Sequence, residues 1–435
     1  METWGIIGGG IMGMRIAMLL KEKGYDVTIM EADSKLGGLT KSWEIDKYTW
    51  DRFYHIILPD DIYTLNLINA VGLSNELEWS ETKSGFFIEG NYYSMSNTLE
   101  FIKFPPLNII DKFRLGLTII LGSSLKNYSK LELVPVSDWL IKWSGKRTYK
   151  FLWEPLLKAK LGKDFHKASA AFICATIKRL YGARKKGAKK ELFGYVKGGY
   201  EIILKSLKEH INKLNIEVLT DSRITDITKK DGAIVVKAKK EYTFDNVIIT
   251  LPTHIAANVC QAITSTEKDK LKNISYLGVI CCSMLLKKDL SPYYITNIVD
   301  SQVPFTGIIE MTALVDKSHF GGNSLVYLPR YINSRDEIFN RSNDDLKSEF
   351  VDHIKKMRSD LKDEDIISVQ MAKAQHVMTL PELNYSNKIP DYKTSVDNLY
   401  IINSSFITDG TLNVNESLKI AEKYLDKVFN SRNKL

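Results

Sequence analysis

Trp4-Gly5-Ile6-Ile7-Gly8-Gly9-Gly10-Ile11-Met12-Gly13 is a short apolar run that breaks into Gly8, Gly10 and Gly13, spaced G-x-G-x-x-G. An amphipathic stretch follows, and then a second apolar run, Tyr25-Asp26-Val27-Thr28-Ile29-Met30, which ends on Glu31. The pattern predicts a strand, a tight turn, a helix and a parallel second strand. The three glycines serve different physical ends. Gly8 permits the turn, Gly10 lets backbone approach a pyrophosphate, and Gly13 lets helix and strand pack closely. The phosphates are expected at the helix N-terminus, beside Ile11 and Met12, where unpaired N–H groups and the helix dipole favour negative charge. Glu31 falls about 20 residues on, where a carboxylate accepts hydrogen bonds from ribose hydroxyls.

The next residues are Ala32-Asp33-Ser34-Lys35-Leu36-Gly37-Gly38-Leu39-Thr40, a second glycine pair where nicotinamide-binding domains continue into another strand and helix. G-x-G-x-x-G, then Glu, then Gly-Gly resembles the FAD-binding segment of the amine oxidase and protoporphyrinogen oxidase superfamily. The resemblance implies FAD as cofactor, held by Gly8, Gly10, Ile11, Met12, Gly13, Glu31, Ala32, Gly37, Gly38 and Leu39. Leu39 stands where that pattern usually has Arg, which removes one cationic phosphate contact; the G-G-L variant is similar to the protoporphyrinogen-oxidase-like branch.

At 435 residues the chain has room for two domains and a large core, and its 44% apolar and 26% charged residues are those of a soluble globular protein. The net charge of +8 is modest. It admits an anionic partner without pointing to nucleic acid. Cys174, Cys260, Cys281 and Cys282 form no C-x-x-C pair, and vicinal Cys281 and Cys282 in a strand face opposite ways. Neither a metal site nor a disulfide framework is expected, which suits a reducing cytoplasm. The strand beginning at residue 4 leaves no room for a leader, and no apolar run reaches the roughly 18 residues that span a bilayer.

Along the chain, Ile62, Leu65 and Ile68 predict a helix capped by Asp60 or Asp61 and ended by Gly72. Residues 79–104 read as a small antiparallel sheet with a Gly90-Asn91 turn, and residues 107–190 as mostly helical. Gly198-Gly199 precedes an amphipathic helix near 201–213. Strands follow at 216–219, 223–228, 233–238, 242–244 and 245–252, with Asp231-Gly232 as a hairpin turn. Residues 275–330 read as strands, 335–361 as helical, and 398–403 as a strand leading by a loop to a last helix ending near Asn430. No Pro/Gly linker separates these parts, which favours a chain that leaves one domain and returns to it.

The fold class expected is α/β: a Rossmann-like, glutathione-reductase-type FAD domain interleaved with an α+β substrate domain that holds a mixed or antiparallel sheet and helices. The FAD domain takes residues 1–60, 190–270 and 370–435, and the substrate domain 60–190 and 270–370. The resemblance carries Ile224 to the second cofactor segment, beside the adenine. It carries Asp409, Leu412 and Val414 to the segment that opens the last helix, whose N-terminus faces the flavin pyrimidine. There Asn413 and Glu416 have capping-box spacing.

His55, just after the glycine pair, is the candidate acid/base residue, with Tyr54 beside it. A hydrogen-bonded structural histidine is the competing assignment. In the resembling branch a His often follows the Glu, at the position of Met311 here. The expected activity is hydride transfer between a partly apolar small molecule and flavin N5. The rivals are a flavin-dependent nucleotide-sugar mutase, for which Arg147 and Arg179 are the only arginines suggestive of a diphosphate grip, and a non-catalytic dinucleotide-binding protein. The expected location is the cytoplasm, with attachment to the inner face of a membrane as the alternative. For Phe101–Leu121, a core helix of the substrate domain is the favoured reading over a membrane-interface segment; the basic run from Lys178 to Lys190 reads as a solvated loop. The oligomeric state stays open.

Overall fold

The computed structural model describes residues 1–95, 100, 103–182, 191–408 and 410–432. Asp409 and the basic residues Arg184, Lys185, Lys186, Lys189 and Lys190 lie outside them.

Thr3–Ile7 and Asp26–Met30 do form adjacent parallel strands. Among the described residues they are the centre of a five-stranded sheet ordered Leu399–Ile401, Asn246–Ile249, Thr3–Ile7, Asp26–Met30, Glu217–Leu219, parallel throughout. Both faces are covered, so Asn246–Ile249 is wholly buried, as parallel strands require. Trp4 and Ile6 point into a core shared with the helices Ile11–Glu22, Gly199–Lys213 and Val414–Arg432. Ile7 and Met30 point the other way, onto Ile224, Ile227 and Val247. Tyr200, Ile203, Leu207 and Ile211 are the buried stripe of the helix Gly199–Lys213 at helical spacing. The first and last helices are tied by Arg15 and Glu422 at 2.8 Å.

A second, mixed sheet has seven strands among the described residues, in the order Ile366–Thr379, Tyr276–Leu286, Ser324–Asn333, Gly307–Glu310, Ile295–Ile298, Ser84–Ile88, Asn91–Ser94. Only the pairing of Ile295–Ile298 with Ser84–Ile88 is parallel within it. Tyr276–Leu286 is buried at every residue, and Cys281 and Cys282 enter different cores on its two faces. Helices Ile109–Ser124, Val136–Ser144, Glu154–Leu161 and Ala170–Gly182 gather beside this sheet. A two-stranded ribbon, Ser42–Ile45 with Tyr48–Asp51, lies between the units: the Asp51 backbone carbonyl accepts the hydroxyl of buried Tyr327 in the seven-stranded sheet, and its carboxylate accepts the Tyr200 N–H of the helix Gly199–Lys213.

Four local expectations are corrected. Residues 79–104 are not a sheet of their own: Leu77–Thr82 pairs with Glu191–Val196, while Ser84–Ile88 and Asn91–Ser94 complete the seven-stranded sheet. Their turn is Glu89-Gly90, with φ of 50° and 77°, because Ile88 pairs with Asn91 and a two-residue turn of this hand needs positive φ at both centres. Asp61 stands at the N-cap of the helix Ile62–Ala70, as expected, but its side chain bonds no helix N–H. Asn415 supplies that bond from the last helix, its Oδ1 accepting the Tyr63 N–H at 2.9 Å. Finally, Ile109–Ser124 is only half a core helix: Asp111, Leu115, Thr118 and Gly122 are buried, while Ile109, Ile110, Phe113, Leu117 and Ile120 face solvent.

Candidate cofactor and substrate site

The two glycine motifs are folded against each other. Gly37 donates its N–H to the Gly9 carbonyl at 2.8 Å, and a Cβ on Gly38 would stand 3.3 Å from the Gly10 Cα. Gly8 holds φ at 109°, and Thr250, at the end of the neighbouring strand, donates its hydroxyl to the Ile7 carbonyl at 2.9 Å. A Cβ on Gly13 would lie 2.0 Å from the Gly8 carbonyl oxygen, so this glycine admits the loop's backbone to the helix. Gly10 differs. Its backbone is extended, it caps the first helix without any side-chain bond, and a Cβ there meets nothing within 4 Å. An open approach to an uncapped helix N-terminus is where a pyrophosphate fits.

Glu31 is already held by backbone. Its carboxylate accepts the Gly9 N–H at 2.7 Å and the Asp33 N–H at 2.9 Å. Each oxygen keeps a second lone pair for a ribose hydroxyl. Ala32 is exposed, and Ser222 donates its N–H to the Glu31 carbonyl at 2.8 Å, drawing the segment before buried Ile224 alongside. Leu39 packs against the core that contains Trp50 and Phe53. Arg52, unassigned from sequence, is half-buried with its Nε unpartnered and has no ion pair among the described residues. Burial pushes its guanidinium pKa down, opposed by the nearby Asp33 carboxylate. Its N–H binds the carbonyl of Lys41, three residues after Gly38, so it stands beside the second glycine loop.

The last helix reaches the same region. Asn413 accepts the Glu416 N–H at 2.9 Å, the cap its spacing predicts, and Glu416 itself pairs with Lys419 at 3.1 Å. Val414 shares a core with Ile11 and Met12, and Leu412 packs against both that core and the helical core of the second unit.

His55 rests on Tyr200, with ring centroids 4.7 Å apart. Its Nδ1 is buried without a hydrogen bond, 3.6 Å from the Asp51 carboxylate, which is 2% exposed. The other Asp51 oxygen accepts the Tyr200 N–H at 2.8 Å, capping the helix Gly199–Lys213 from outside. Tyr54 shares a 2.9 Å hydrogen bond with Tyr331, and the Lys160 ammonium lies 4.1 Å from the Tyr331 ring centre. Burial, and then Tyr331, push the Tyr54 phenol well above its ordinary value, which keeps it a neutral hydrogen-bonding group. His254 and His376 stack at 3.7 Å; burial lowers the pKa of both, His376 to about 4, so both are neutral near pH 7. Met311 is a core side chain.

Glu310 beside it is buried, accepting the Leu290 N–H at 2.9 Å and the Thr312 hydroxyl at 2.7 Å. Burial pushes its pKa up from 4.5 to about 7. A raised carboxyl pKa binds its proton more tightly in the folded state. Its stabilisation is therefore complete below pH 4.5 and is lost as pH rises toward 7. In urea unfolding at about pH 5 and about pH 8, wild type should lose up to about 3 kcal/mol relative to Glu310→Gln. Equal pH dependence in the two proteins would refute this.

Both arginines suggestive of a diphosphate grip are engaged elsewhere. Arg179 makes a bidentate pair with buried Asp61 at 2.5 and 3.0 Å. Arg147 lies 3.5 Å from the Asp111 carboxylate. Among the described residues, no group of three or more His, Cys, Asp or Glu is placed to hold a metal ion.

Comparison with known proteins places this architecture. The family model described as flavin containing amine oxidoreductase matches residues 12–384, and the chain belongs to that family. That family is one of flavin-containing oxidoreductases. Mitochondrial protoporphyrinogen oxidase of Nicotiana tabacum is 27% identical over 167 residues, 37% of this chain and 32% of that protein. The chain spans a third to a half of the length of the first curated relatives it matches. Among solved structures, an oxidoreductase from Methanosarcina mazei superimposes with a TM-score of 0.74 at 15% identity, over 98% of this chain and 100% of that one. Putrescine oxidase bound to putrescine superimposes with a TM-score of 0.71 at 14% identity, over 99% of each chain. These likenesses show a common mixed α/β fold.

Proposed function

We propose that this chain moves a hydride between a partly apolar small molecule and the N5 of a bound FAD, in the manner of protoporphyrinogen-oxidase-like enzymes. The observation that carries it is the open, uncapped helix N-terminus at Gly10, walled by the second glycine loop. The first sheet is then a Rossmann-like domain of glutathione-reductase type, built from residues near 1–60, 190–270 and 370–435. The substrate domain comprises residues near 60–190 and 270–370, with the strand Ile366–Thr379 straddling the last boundary.

When bound, FAD supplies the hydride-accepting ring. Gly10, Ile11, Met12 and Gly13 offer the pyrophosphate backbone N–H groups, while Gly8, whose own N–H goes to the Met30 carbonyl at 2.9 Å, makes the turn that exposes them. Glu31 orients the ribose, with Ala32, Gly37, Gly38 and Leu39 along the cofactor's edge and Ile224 by the adenine. Leu412, Val414 and the N–H groups of the last helix stabilise negative charge at the pyrimidine; Asp409 belongs to the same segment. Arg52 supplies the phosphate cation that Leu39 does not. Replacing it with Ala should weaken FAD binding about tenfold, read by quenching of flavin fluorescence, while apoprotein stability holds. Unchanged affinity would remove Arg52 from the site. His55 is the group placed to move a proton: its Nδ1 makes no hydrogen bond and faces the Asp51 carboxylate, which orients the ring. Tyr54 and Tyr331 line the apolar substrate side.

The test starts from flavin released by denaturing the purified protein, which should be FAD. The holoprotein is then mixed without oxygen with reduced candidates, beginning with protoporphyrinogen and zeta-carotene, after which relatives are named. Bleaching of the flavin supports the proposal. Interconversion of a nucleotide sugar by the reduced protein, with no bleaching by any candidate, would replace it with mutase chemistry. Colourless protein that refuses FAD but binds NAD would overturn it.

A further inference from the structure

We propose that His254, His376 and Arg335 form a binding site for a phosphoryl group at the seam between the two units. The site stands apart from the hydride chemistry proposed above and does not depend on it. Each unit contributes one ring. His254 follows the strand Asn246–Ile249 of the parallel sheet, and His376 lies on Ile366–Thr379 of the seven-stranded sheet. Between that first strand and His254, Thr250 donates to the Ile7 carbonyl, and a Cβ on Gly8 would lie 3.2 Å from Leu251. The chain thus reaches His254 straight from the glycine loop. The two rings stack with centroids 3.7 Å apart and 34° between their planes. Buried Tyr276 meets both edge-on, at 5.8 and 5.7 Å, and its hydroxyl accepts the Thr253 N–H at 3.1 Å, which fixes the arrangement. Rings stacked by their faces cannot hydrogen-bond to each other. Among the described residues neither ring has a hydrogen-bond partner, and both are half-buried, so their nitrogens are open to a third group arriving from solvent.

The surrounding charge names the ligand. Arg335, just after the strand Ser324–Asn333, is exposed and has no ion pair among the described residues. Burial, and then the Arg335 guanidinium, push the His254 pKa down; burial, and then His254, lower that of His376. No carboxylate acts on either ring. Asp336, beside Arg335, is taken by the Ile338 N–H at 3.0 Å. Glu382, beyond the end of the His376 strand, is taken by the Ser275 hydroxyl at 2.9 Å and the Lys388 ammonium at 2.6 Å. Three groups able to carry positive charge therefore stand together without a counter-ion. An oxyanion reverses the balance. Its charge favours protonated imidazoles, and both rings and the guanidinium then donate charge-assisted hydrogen bonds. A metal cation is a poor match, because two imidazoles are too few ligands and Arg335 repels it. A carboxylate brings one charge and two oxygens, whereas a phosphoryl group brings up to two charges and three acceptor oxygens, one for each donor. Free phosphate and a phosphomonoester on a larger molecule share this chemistry.

The test is nuclear magnetic resonance of the FAD-loaded full chain, labelled with carbon-13 at histidine Cε1 so that its seven histidines are followed one by one. Inorganic phosphate and benzyl phosphate are titrated separately into phosphate-free buffer, with acetate as the singly charged comparison. Phosphate should keep two histidines protonated at a proton concentration about tenfold lower than in its absence, and leave the other five unmoved. His254→Gln and His376→Gln each remove one of the two signals and so identify them. Arg335→Gln, a change at an exposed side chain, should weaken phosphate binding about tenfold at an unchanged unfolding midpoint. Lys208→Gln, exposed on the helix Gly199–Lys213, should leave binding unchanged. Acetate should bind about tenfold more weakly than phosphate or worse. Benzyl phosphate binding as tightly as phosphate gives the site to a phosphoryl-bearing organic molecule; exclusion of the ester gives it to free phosphate. The proposal is overturned if neither compound moves the two signals, if Arg335→Gln binds phosphate as wild type does, or if zinc moves them and phosphate does not.

Discussion

Gly13→Ala is expected to destabilise the apoprotein by about 3 kcal/mol or more, while Gly10→Ala leaves it as stable as wild type and loses the cofactor. The two glycines sit three residues apart in one motif, and their surroundings separate them. At Gly13 the added methyl would stand 2.0 Å from the backbone oxygen of Gly8, which is held in place through the Thr250 hydroxyl at 3.2 Å. Neither atom can swing aside as a flexible side chain would. At Gly10 the backbone is extended with φ −72°, which alanine adopts freely, and no protein atom is within 4 Å of the new methyl. Alanine there narrows the unfolded ensemble but suits a helix N-cap less well than glycine, and the two effects offset each other, so apoprotein stability should stay within about 0.5 kcal/mol of wild type. The methyl instead takes space that the pyrophosphate needs, so FAD affinity should fall between tenfold and a hundredfold, on the order of 1–3 kcal/mol. Urea midpoints of the two apoproteins and flavin titrations decide the matter. Wild-type FAD affinity in Gly10→Ala would mean that the cofactor does not pass over this residue.

Arg179→Ala should cost about 3–5 kcal/mol, although Arg179 is remote from the glycine loops in sequence. Asp61 is 3% exposed, and its two oxygens receive both arms of the Arg179 guanidinium together with the Leu58 N–H at 2.9 Å. Removing the cation leaves a buried carboxylate with one neutral donor. The pair fixes the helix Ala170–Gly182 to the turn before Ile62–Ala70, so the variant should also lose protection of both in hydrogen exchange. Asp61→Asn in the Arg179→Ala background should recover part of the loss, because the uncompensated charge is its main source. Equal stability of wild type and Arg179→Ala in urea would contradict the pairing and leave Arg179 free to bind a diphosphate.

The legible part of this sequence was the part governed by local rules. The Gly8, Gly10 and Gly13 spacing, the two strands around it, the Asp231-Gly232 turn and the opposed faces of Cys281 and Cys282 all follow from backbone conformation or strand alternation within a few residues. What escaped was set by distant partners. The helices Ile62–Ala70 and Gly199–Lys213 are capped by Asn415 and Asp51, one about 350 residues later and the other about 150 earlier. No local cap signal exists to be read there; Asp61, which resembles one, is taken by Arg179. Arg52 was missed because nothing in its neighbours marks it, and only folding brings its half-buried charge to the glycine loops. The helix Ile109–Ser124 misled for a different reason. Apolar periodicity reports that a stripe exists, but not whether protein or another phase lies against it.

The five-stranded sheet has a temporal consequence. Its central strand, Thr3–Ile7, and its edge strand, Leu399–Ile401, lie about 390 residues apart along the chain. At roughly 5–20 residues per second, translation separates the two by roughly 20–80 s. Throughout that interval the nascent glycine loop has neither its closing strand nor the helix Val414–Arg432, which the proposed function sets against the isoalloxazine. On the proposed function, cofactor loading therefore waits until that strand and helix have emerged. Ribosome-stalled chains that stop short of residue 399 should carry no flavin, however much of it the cell supplies.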